Sequence, residues 1–194
     1  MFSHKIDNET EISLIELRDA EELNALVTNN FEHLRAWSGW LKVKERPVEQ
    51  TRDWIKRNKK RFGSGDGFEM AVRHRGRLAG QIGYNYFDYE NLKTEIGYWL
   101  GSSFQGKGLI TKACGVAIDN AFGEFGLNRI EIRCGSENWK SRKIPERLGF
   151  REEGTARQAE WLHHRFIDLV VYSMLASDWD SNVYNAKEKR SLKL

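Results

Sequence analysis

The chain has 194 residues, of which 40% are hydrophobic, so it can bury the core of one domain of ordinary size. The 31 Lys and Arg residues and the 28 Asp and Glu residues leave a formal net charge of +3, with the two signs interspersed. This charge is too small and too mixed to predict direct contact with nucleic acid.

The cysteines and the apolar segments suggest a cellular setting. Cys114 and Cys134 lack the short paired spacing of a zinc or redox motif, so we expect no metal site and a reducing, cytoplasmic location. Residues 1–11 carry charges where a secretory signal would be apolar, and no later segment is as apolar as a membrane span. The sequence therefore predicts no membrane contact.

The first part of the chain predicts a strand and then helices. Partly alternating apolar residues over 11–17 indicate a strand, and Asp19 stands at the N-cap position of the helix that follows. Helical spacing continues over 23–40 with a break near 29–30. Pro47 suits the first turn of a further helix that ends near residue 62.

In the rest of the chain, period-two patterns alternate with helical stripes. The predicted strands cover 68–72, 78–86, 94–100, 129–134, 150–160 and 165–175, and the predicted helices cover 110–125 and 138–148. This order predicts an α+β or mixed α/β fold, in a single domain over 10–176 with a charged, exposed tail over 177–194. The strands before and after the 110–125 helix should run parallel through a right-handed crossover.

A glycine-bearing turn at 104–111 is the first candidate site. It precedes the strong helix, where unpaired N–H groups and the helix dipole favour an anion such as a pyrophosphate. Gly106 and Gly108 permit close backbone approach, but neither a Walker motif nor a three-glycine dinucleotide motif is present. A simple strand-to-helix turn would need the same small residues.

Together with a second motif, this turn makes the chain resemble the GNAT acetyltransferase superfamily over about residues 10–176. Gln105 and Gly108 match the family's R/Q-x-x-G-x-G/A motif, whereas Ile110 replaces its small sixth residue, as is common in the branch that acetylates ribosomal proteins. Asn138-Trp139-Lys140-Ser141 and the following helix, which ends in Gly149-Phe150, look like the family's N-x-x-S motif and its Gly-Phe helix end.

The resemblance implies a mostly antiparallel, seven-stranded mixed sheet flanked by helices, with acetyl-CoA in a splay between the fourth and fifth strands. Its pantetheine arm would pair with the fourth strand as an added strand does. The residues that the resemblance assigns to acetyl-CoA are Trp99, Leu100, Gln105, Gly106, Lys107, Gly108, Leu109, Ile110, Thr111, Asn138 and Ser141.

The resemblance also implies the catalytic groups. Acetyl transfer requires a base for the attacking ammonium and a proton donor for the departing sulfur. The resemblance suggests Glu160 as the base and Ser141 as the donor, and Glu95 on the fourth strand competes for the role of base. Ser141 could instead satisfy backbone groups at a helix start, and Glu160 could be an ordinary strand carboxylate.

Other polar and aromatic residues have simpler interpretations. His163 and His164 fit a polar turn better than a metal site, and Asp168 between apolar neighbours suggests a buried structural carboxylate. Three early aromatics could wall an acceptor pocket or pack in the core: Phe31, Trp37 and Trp40. The basic run over 56–61 is typical of a solvated helix face and could also steer an acidic protein partner.

The leading interpretation is an acetyl-CoA-dependent N-acetyltransferase that transfers the acetyl group directly to the N-terminal α-amino group of a protein. The resemblance implies a ribosomal protein beginning with serine or alanine as the acceptor. One alternative is an acetyltransferase for a small amine, such as a polyamine or an amino sugar. Another is a catalytically silent module that binds acyl-CoA or nucleic acid. The sheet edges and apolar helix faces are compatible with a homodimer.

Overall fold

The computed structural model describes residues 3–180. Its strands are β1 (Ser3–Lys5), β2 (Thr10–Leu14), β3 (Phe68–His74), β4 (Arg77–Asp88), β5 (Lys93–Leu100), β6 (Arg129–Gly135), β7 (Arg151–Leu162) and β8 (Arg165–Leu175). Its α-helices are α1 (Ala20–Asn29), α2 (Phe31–Arg35), α3 (Val48–Ser64), α4 (Leu109–Gly123) and α5 (Trp139–Leu148). The predicted break between α1 and α2 is confirmed, and the predicted helix start at Pro47 is the N-cap of α3.

The strands form one sheet in the order β1-β2-β3-β4-β5-β6-β8-β7. Within residues 3–180 every neighbouring pair is antiparallel except β5 and β6, which α4 connects. The predicted mixed α/β fold and parallel crossover are therefore confirmed. The sheet has eight strands where seven were predicted, because β1 is a short exposed strand whose three polar residues carry no apolar alternation.

The parallel pair separates soon after it forms. Residues 93–95 of β5 pair with 129–131 of β6, and no pairing continues beyond Glu95 and Glu131. From there β5 stays hydrogen-bonded to β4, whereas β6 stays bonded to β8. The predicted splay is thus present, and its open end lies where β5 leads into the turn before α4.

Helices cover the two faces of the sheet. The apolar side of α4, including Ala113, Cys114 and Ala117, packs fully buried on one face, as the helical stripe predicted. The Tyr84 hydroxyl on β4 donates to the Ala117 carbonyl oxygen at 2.7 Å. The other face carries α1 and α3 through a second buried cluster that includes Leu23 and Ile55. These two layers hold both ends of α4 and β5 in place beside the splay.

A buried ion pair joins the start of α1 to the sheet. Arg73 on β3 donates to Asp19 Oδ1 at 2.7 Å, and the exposed fractions of the two side chains are 14% and 8%. Asp19 occupies the predicted N-cap position but makes no side-chain cap bond to α1; its Oδ2 accepts from the Glu16 N–H at 2.9 Å. Arg73 also reaches Glu22, whose carboxylate accepts from the Leu78 N–H.

The predicted tail begins attached to the domain. Trp179 packs against the core cluster around α4, and its indole N–H donates to Asp119 Oδ1 at 2.7 Å. Residues 181–194, where most of the tail was predicted, lie outside the described residues. The boundary at residue 176 stays a prediction.

We expect Arg73→Ala to lower the free energy of unfolding by about 3–5 kcal/mol, because it leaves the Asp19 carboxylate buried without its partner. Arg75→Ala is the matched control, since Arg75 pairs with Glu9 at the surface, with 70% of the arginine side chain exposed. That control should cost at most about 1 kcal/mol. Urea denaturation measures both values, and equal losses would contradict a structural role for the buried pair.

Candidate functional site

A cavity of about 1650 Å³ opens at the splay, and we call it the splay cavity. The ends of β5 and β6, the start of α4, the α5 helix and the segment after α2 all contribute to its wall. The predicted site residues that line it are Trp99, Leu100, Gln105, Gly106, Gly108, Leu109, Ile110, Thr111, Asn138, Ser141 and Glu160, together with Glu95. Residues distant in sequence therefore meet around one space.

Lys107 is the one predicted site residue that does not line the cavity. Its ammonium group lies 5.7 Å from the centroid of the Phe104 ring, as in a cation–π contact. The sequence left two possibilities for this side chain, a charge contact with the bound anion or exposure to solvent. The turn around it points its backbone toward the cavity, whereas this side chain lies on the Phe104 ring.

The turn before α4 has the geometry of an anion site. Gly106 and Gly108 have φ values of 77° and 72°, which L-residues with side chains rarely adopt. Gly108 is the N-cap of α4, and no side chain caps the helix there. The first N–H groups of α4 are thus available at the positive end of its dipole, facing the cavity.

One side of α5, from its first turn to its last, supplies a second set of cationic groups, which no predicted motif had indicated. Lys140, Lys143 and Arg147 recur at helical spacing on one side of α5, and all three line the cavity. Lys140 donates to Gln105 Oε1 at 3.2 Å, whereas Lys143 and Arg147 form no ion pair within residues 3–180. Their spacing in the N-x-x-S helix was the signal that could have revealed them.

Ser141 lies in the first turn of α5, between both edges of the splay. Its backbone N–H donates to the Asn138 side-chain oxygen at 3.3 Å, so Asn138 is the N-cap of α5. Its hydroxyl lies 3.4 Å from the Tyr98 hydroxyl and 3.3 Å from Cys134 Sγ. The Ser141 hydroxyl donates to the Tyr98 hydroxyl, and because Ser141 lines the cavity, a sulfur atom bound there would compete with Tyr98 for this proton.

Burial keeps the neighbours of Ser141 protonated. It raises the pKa of the Tyr98 phenol and that of the Cys134 thiol above their ordinary values. Tyr98 also donates to the Ser141 carbonyl oxygen at 3.1 Å, which ties β5 to α5 across the splay. The hydroxyl of Ser141 therefore sits among neutral groups that neither withdraw its proton nor repel a sulfur atom.

Four carboxylates line the same cavity: three lie on different strands, Glu69 on β3, Glu95 on β5 and Glu160 on β7, and Glu137 lies just before α5. Glu95 is held by two partners, since it accepts from the Asn85 amide at 2.6 Å and lies 3.3 Å from the Arg133 guanidinium. The side-chain carboxylate of Glu160 forms neither a hydrogen bond nor an ion pair with the part of the chain that the structure describes. Burial, and then the charge of Glu95, raises the pKa of Glu160.

A bulge in β7 sets the direction of Glu160. The register with β8 shifts between Ala156 and Glu160, and Gln158 adopts a φ of 51° there. The Gln158 N–H donates to Asp168 Oδ1 at 2.7 Å. Bulges commonly redirect a side chain beside an active site. Asp168 is therefore hydrogen-bonded, as predicted, but it is partly exposed rather than buried because it lies at this bulge.

The remaining predicted residues divide between wall and core. Trp37 and Trp40 line the cavity, whereas Phe31 packs in the core cluster of α1 and α3. His163 and His164 form the turn between β7 and β8, and His163 bonds to the Arg35 carbonyl oxygen. Residues 3–180 contain no cluster of metal-ligating side chains, and none of their helices is long and apolar enough to cross a membrane.

Known proteins share this architecture. A family model described as an acetyltransferase (GNAT) domain matches residues 11–151. The putative ribosomal N-acetyltransferase YdaF of Bacillus subtilis (strain 168) is 37% identical over 187 residues, which cover 93% of this chain and 98% of that protein. The ribosomal-protein-serine acetyltransferase of Escherichia coli (strain K12) is 28% identical, with coverage of 88% and 95%.

A solved structure is similar over the same region. The crystal structure of the microcin C7 self immunity acetyltransferase MccE, in complex with acetyl-CoA and AMP, is 28% identical with a TM-score of 0.83. The match covers 88% of this chain and 94% of that one.

Proposed function

Since this chain belongs to the GNAT acetyltransferase family and is an N-acetyltransferase that uses acetyl-CoA, we propose that its acceptor is the N-terminal α-amino group of a protein, in particular a ribosomal protein. The relatives named for ribosomal substrates support this choice. So does the resemblance of the turn at Ile110 to the ribosomal-protein branch. A cytoplasmic location follows from the same proposal.

The observation that carries the proposal is the charge distribution of the splay cavity. The start of α4 and the α5 cations Lys140, Lys143 and Arg147 make one side positive. Glu69, Glu95 and Glu160 bring carboxylates from three strands to the other side, and of these only Glu95 has an ion-pair partner within residues 3–180, Arg133. An anionic acyl carrier and a cationic amine would each meet the opposite charge, and the two would approach each other at the splay.

The residues present fit acetyl-CoA. The turn with Gly106 and Gly108 offers N–H groups to a diphosphate, and the unpaired part of β5 offers backbone groups to an amide-containing arm. We assign the cofactor contacts to the residues predicted for them, except that the Lys107 ammonium has no assigned contact. Lys143 and Arg147 are added as cations for the adenosine end.

In the proposed mechanism, Glu160 accepts a proton from the acceptor ammonium, directly or through one water, so that the amine lone pair becomes available. Bound acetyl-CoA supplies the thioester whose acetyl group the amine takes. As the tetrahedral intermediate collapses, Ser141 gives its hydroxyl proton to the departing sulfur and takes the second proton that the nitrogen releases, directly or through one water. An α-amino group has an ordinary pKa of about 7.7–8.0, so a carboxylate of moderate basicity suffices near neutral pH.

Glu160 is a better base than Glu95 on electrostatic grounds. The Arg133 guanidinium and the Asn85 amide already occupy the Glu95 carboxylate, so these contacts compete with an incoming ammonium. Burial and the Glu95 charge raise the pKa of Glu160. The proposed role of Glu95 is thus to raise the pKa of Glu160 through its negative charge.

A small cationic amine is the second candidate acceptor. The three carboxylates that strands bring to the cavity would also suit a polyamine, whose several ammonium groups could each meet one of them. Incubating the protein with acetyl-CoA and either purified ribosomal proteins or polyamines, followed by mass spectrometry, separates the candidates. A mass gain of one acetyl group at a protein N-terminus supports the proposal, whereas modification of polyamines alone contradicts it.

We expect Glu160→Gln to lower kcat by about 10²-fold, because the amide cannot accept the ammonium proton. In the unaltered enzyme kcat/KM should fall as pH drops through the pKa of Glu160, and this inflection should lie above the ordinary glutamic value of about 4.3. The variant should lose the inflection. Glu95→Gln should retain most of kcat and shift the inflection to lower pH, since it removes the nearby negative charge.

The double variant Lys143→Gln/Arg147→Gln should raise the KM for acetyl-CoA by roughly 5–30-fold, because two solvent-screened cations leave the 3′-phosphate. Its KM for acetyl-dephospho-CoA, which lacks that phosphate, should change little. Arg75→Gln/Arg151→Gln is the charge-matched control away from the cavity. Equal increases in the KM for acetyl-CoA and for acetyl-dephospho-CoA would contradict a contact of Lys143 and Arg147 with the 3′-phosphate.

A further inference from the structure

The splay cavity contains a buried hydrogen-bond donor without a partner. Gln81 on β4 is 5% exposed and lines the cavity. Its Nε2 makes no hydrogen bond with any residue in 3–180. Leaving such a donor unsatisfied costs about 1–3 kcal/mol, so a buried amide of this kind normally has a partner.

The orientation of this amide is determined by its neighbour on β5. The Trp99 indole N–H lies 2.7 Å from Gln81 Oε1, and Gln81 and Trp99 are directly opposite each other in the sheet. An indole nitrogen can only donate, so the oxygen of the amide must face it. Nε2 is therefore the end of the amide that is left without a partner, and exchanging the two ends would put two donors in contact.

The floor of the cavity next to Gln81 is shaped by glycines. Gly83 on β4 and Gly97 on β5 lie opposite each other, and Gly83 also lies opposite Glu69 on β3. A Cβ on Gly83 would come within 2.7 Å of the Glu69 carboxylate, so this side chain lies directly over Gly83. Gln81 and Gly83 are two residues apart on one face of β4, which separates them by roughly 7 Å.

Glu69 completes the chemistry of this floor. Its carboxylate accepts no hydrogen bond from residues 3–180, and burial raises its pKa to about 7. A carboxylate in this state gains from a cation placed beside it. Two different groups bound close together would therefore stabilise this floor. One is a cation next to the carboxylates, and the other is a hydrogen-bond acceptor for the Gln81 amide.

We propose that Gln81 is a specificity-determining residue of the acceptor site, whose Nε2 donates to the carbonyl oxygen of the acceptor's first residue. A peptide N-terminus carries an ammonium and a carbonyl on the same carbon, and so supplies both groups. A protonated polyamine only donates hydrogen bonds and leaves Gln81 unsatisfied. Sites built to hydrogen-bond one group discriminate strongly against substrates that lack it. This inference rests on the proposed acetylation of protein N-termini.

The test compares two acceptors: a peptide beginning with serine, and the same peptide with its first peptide bond replaced by an uncharged trans-alkene. The unaltered enzyme should show a KM for the natural peptide roughly 5–100-fold lower than for the alkene analogue. Gln81→Leu and Gln81→Glu both remove the donor, and Gln81→Glu keeps an oxygen for the Trp99 indole. Both variants should raise the KM for the peptide and lose the preference, with the KM for acetyl-CoA nearly unchanged.

Gln50→Leu, at an exposed position on α3, is the control and should keep the preference. Equal KM values for the two acceptors in the unaltered enzyme would overturn the inference, even if neither variant folds. A loss of the preference in Gln81→Leu alone, with the preference kept in Gln81→Glu, would also overturn the inference, because the role of Gln81 would then be to hold Trp99. Failure of the unaltered enzyme to acetylate any peptide contradicts the proposed function itself. Acetylation of both peptides at equal efficiency leaves that function intact and rejects only the part assigned to Gln81.

Discussion

The separation of β5 from β6 is the constraint on which the site depends. Two parallel strands that pair over three residues and then part leave backbone donors and acceptors along their inner edges. In an uninterrupted sheet those groups would bond to each other. Here the cavity between them is lined by the ends of both strands, and an extended, amide-containing molecule can complete the interrupted sheet.

The groups that flank the splay keep its two strands apart and determine which polar groups face the cavity. Tyr98 reaches from β5 to the Ser141 carbonyl oxygen on α5, which holds the two sides at a defined distance. The helix that crosses between the strands begins beside the open end, so its N-terminal N–H groups face the same space. One connection therefore creates the parallel pair, the gap and the anion site together.

Cationic and anionic side chains line different parts of the cavity, and these parts suit the two proposed substrates. Cations on α5 lie near the start of α4, whereas carboxylates come from three separate strands. Burial, and then the charge of Glu95, raises the pKa of Glu160, whereas the Glu95 carboxylate lies against the Arg133 guanidinium. The proposed base Glu160 and its neighbour Glu95 thus differ in their surroundings, although both are glutamates.

The sequence by itself determined the fold class and the general chemistry of the chain. Period-two and helical patterns located seven of the eight strands, and the turn at Gly106 and Gly108 with the Asn138-to-Ser141 motif identified the acetyltransferase family. Local signals suffice for the fold class and the family because strand alternation, helical stripes and glycine turns depend on residues that are close together in the sequence. The three polar residues of β1 carried no such pattern.

Only the tertiary structure decided which side chains share the site. It distinguished Glu160 from Glu95 by their partners, turned Lys107 onto the Phe104 ring, and brought Gln81 and Glu69 into the cavity. No local pattern marks these residues, since each depends on a neighbour from a distant strand. Strand register and the packing of helices on the sheet bring such residues together, and those contacts exist only once the whole chain has folded.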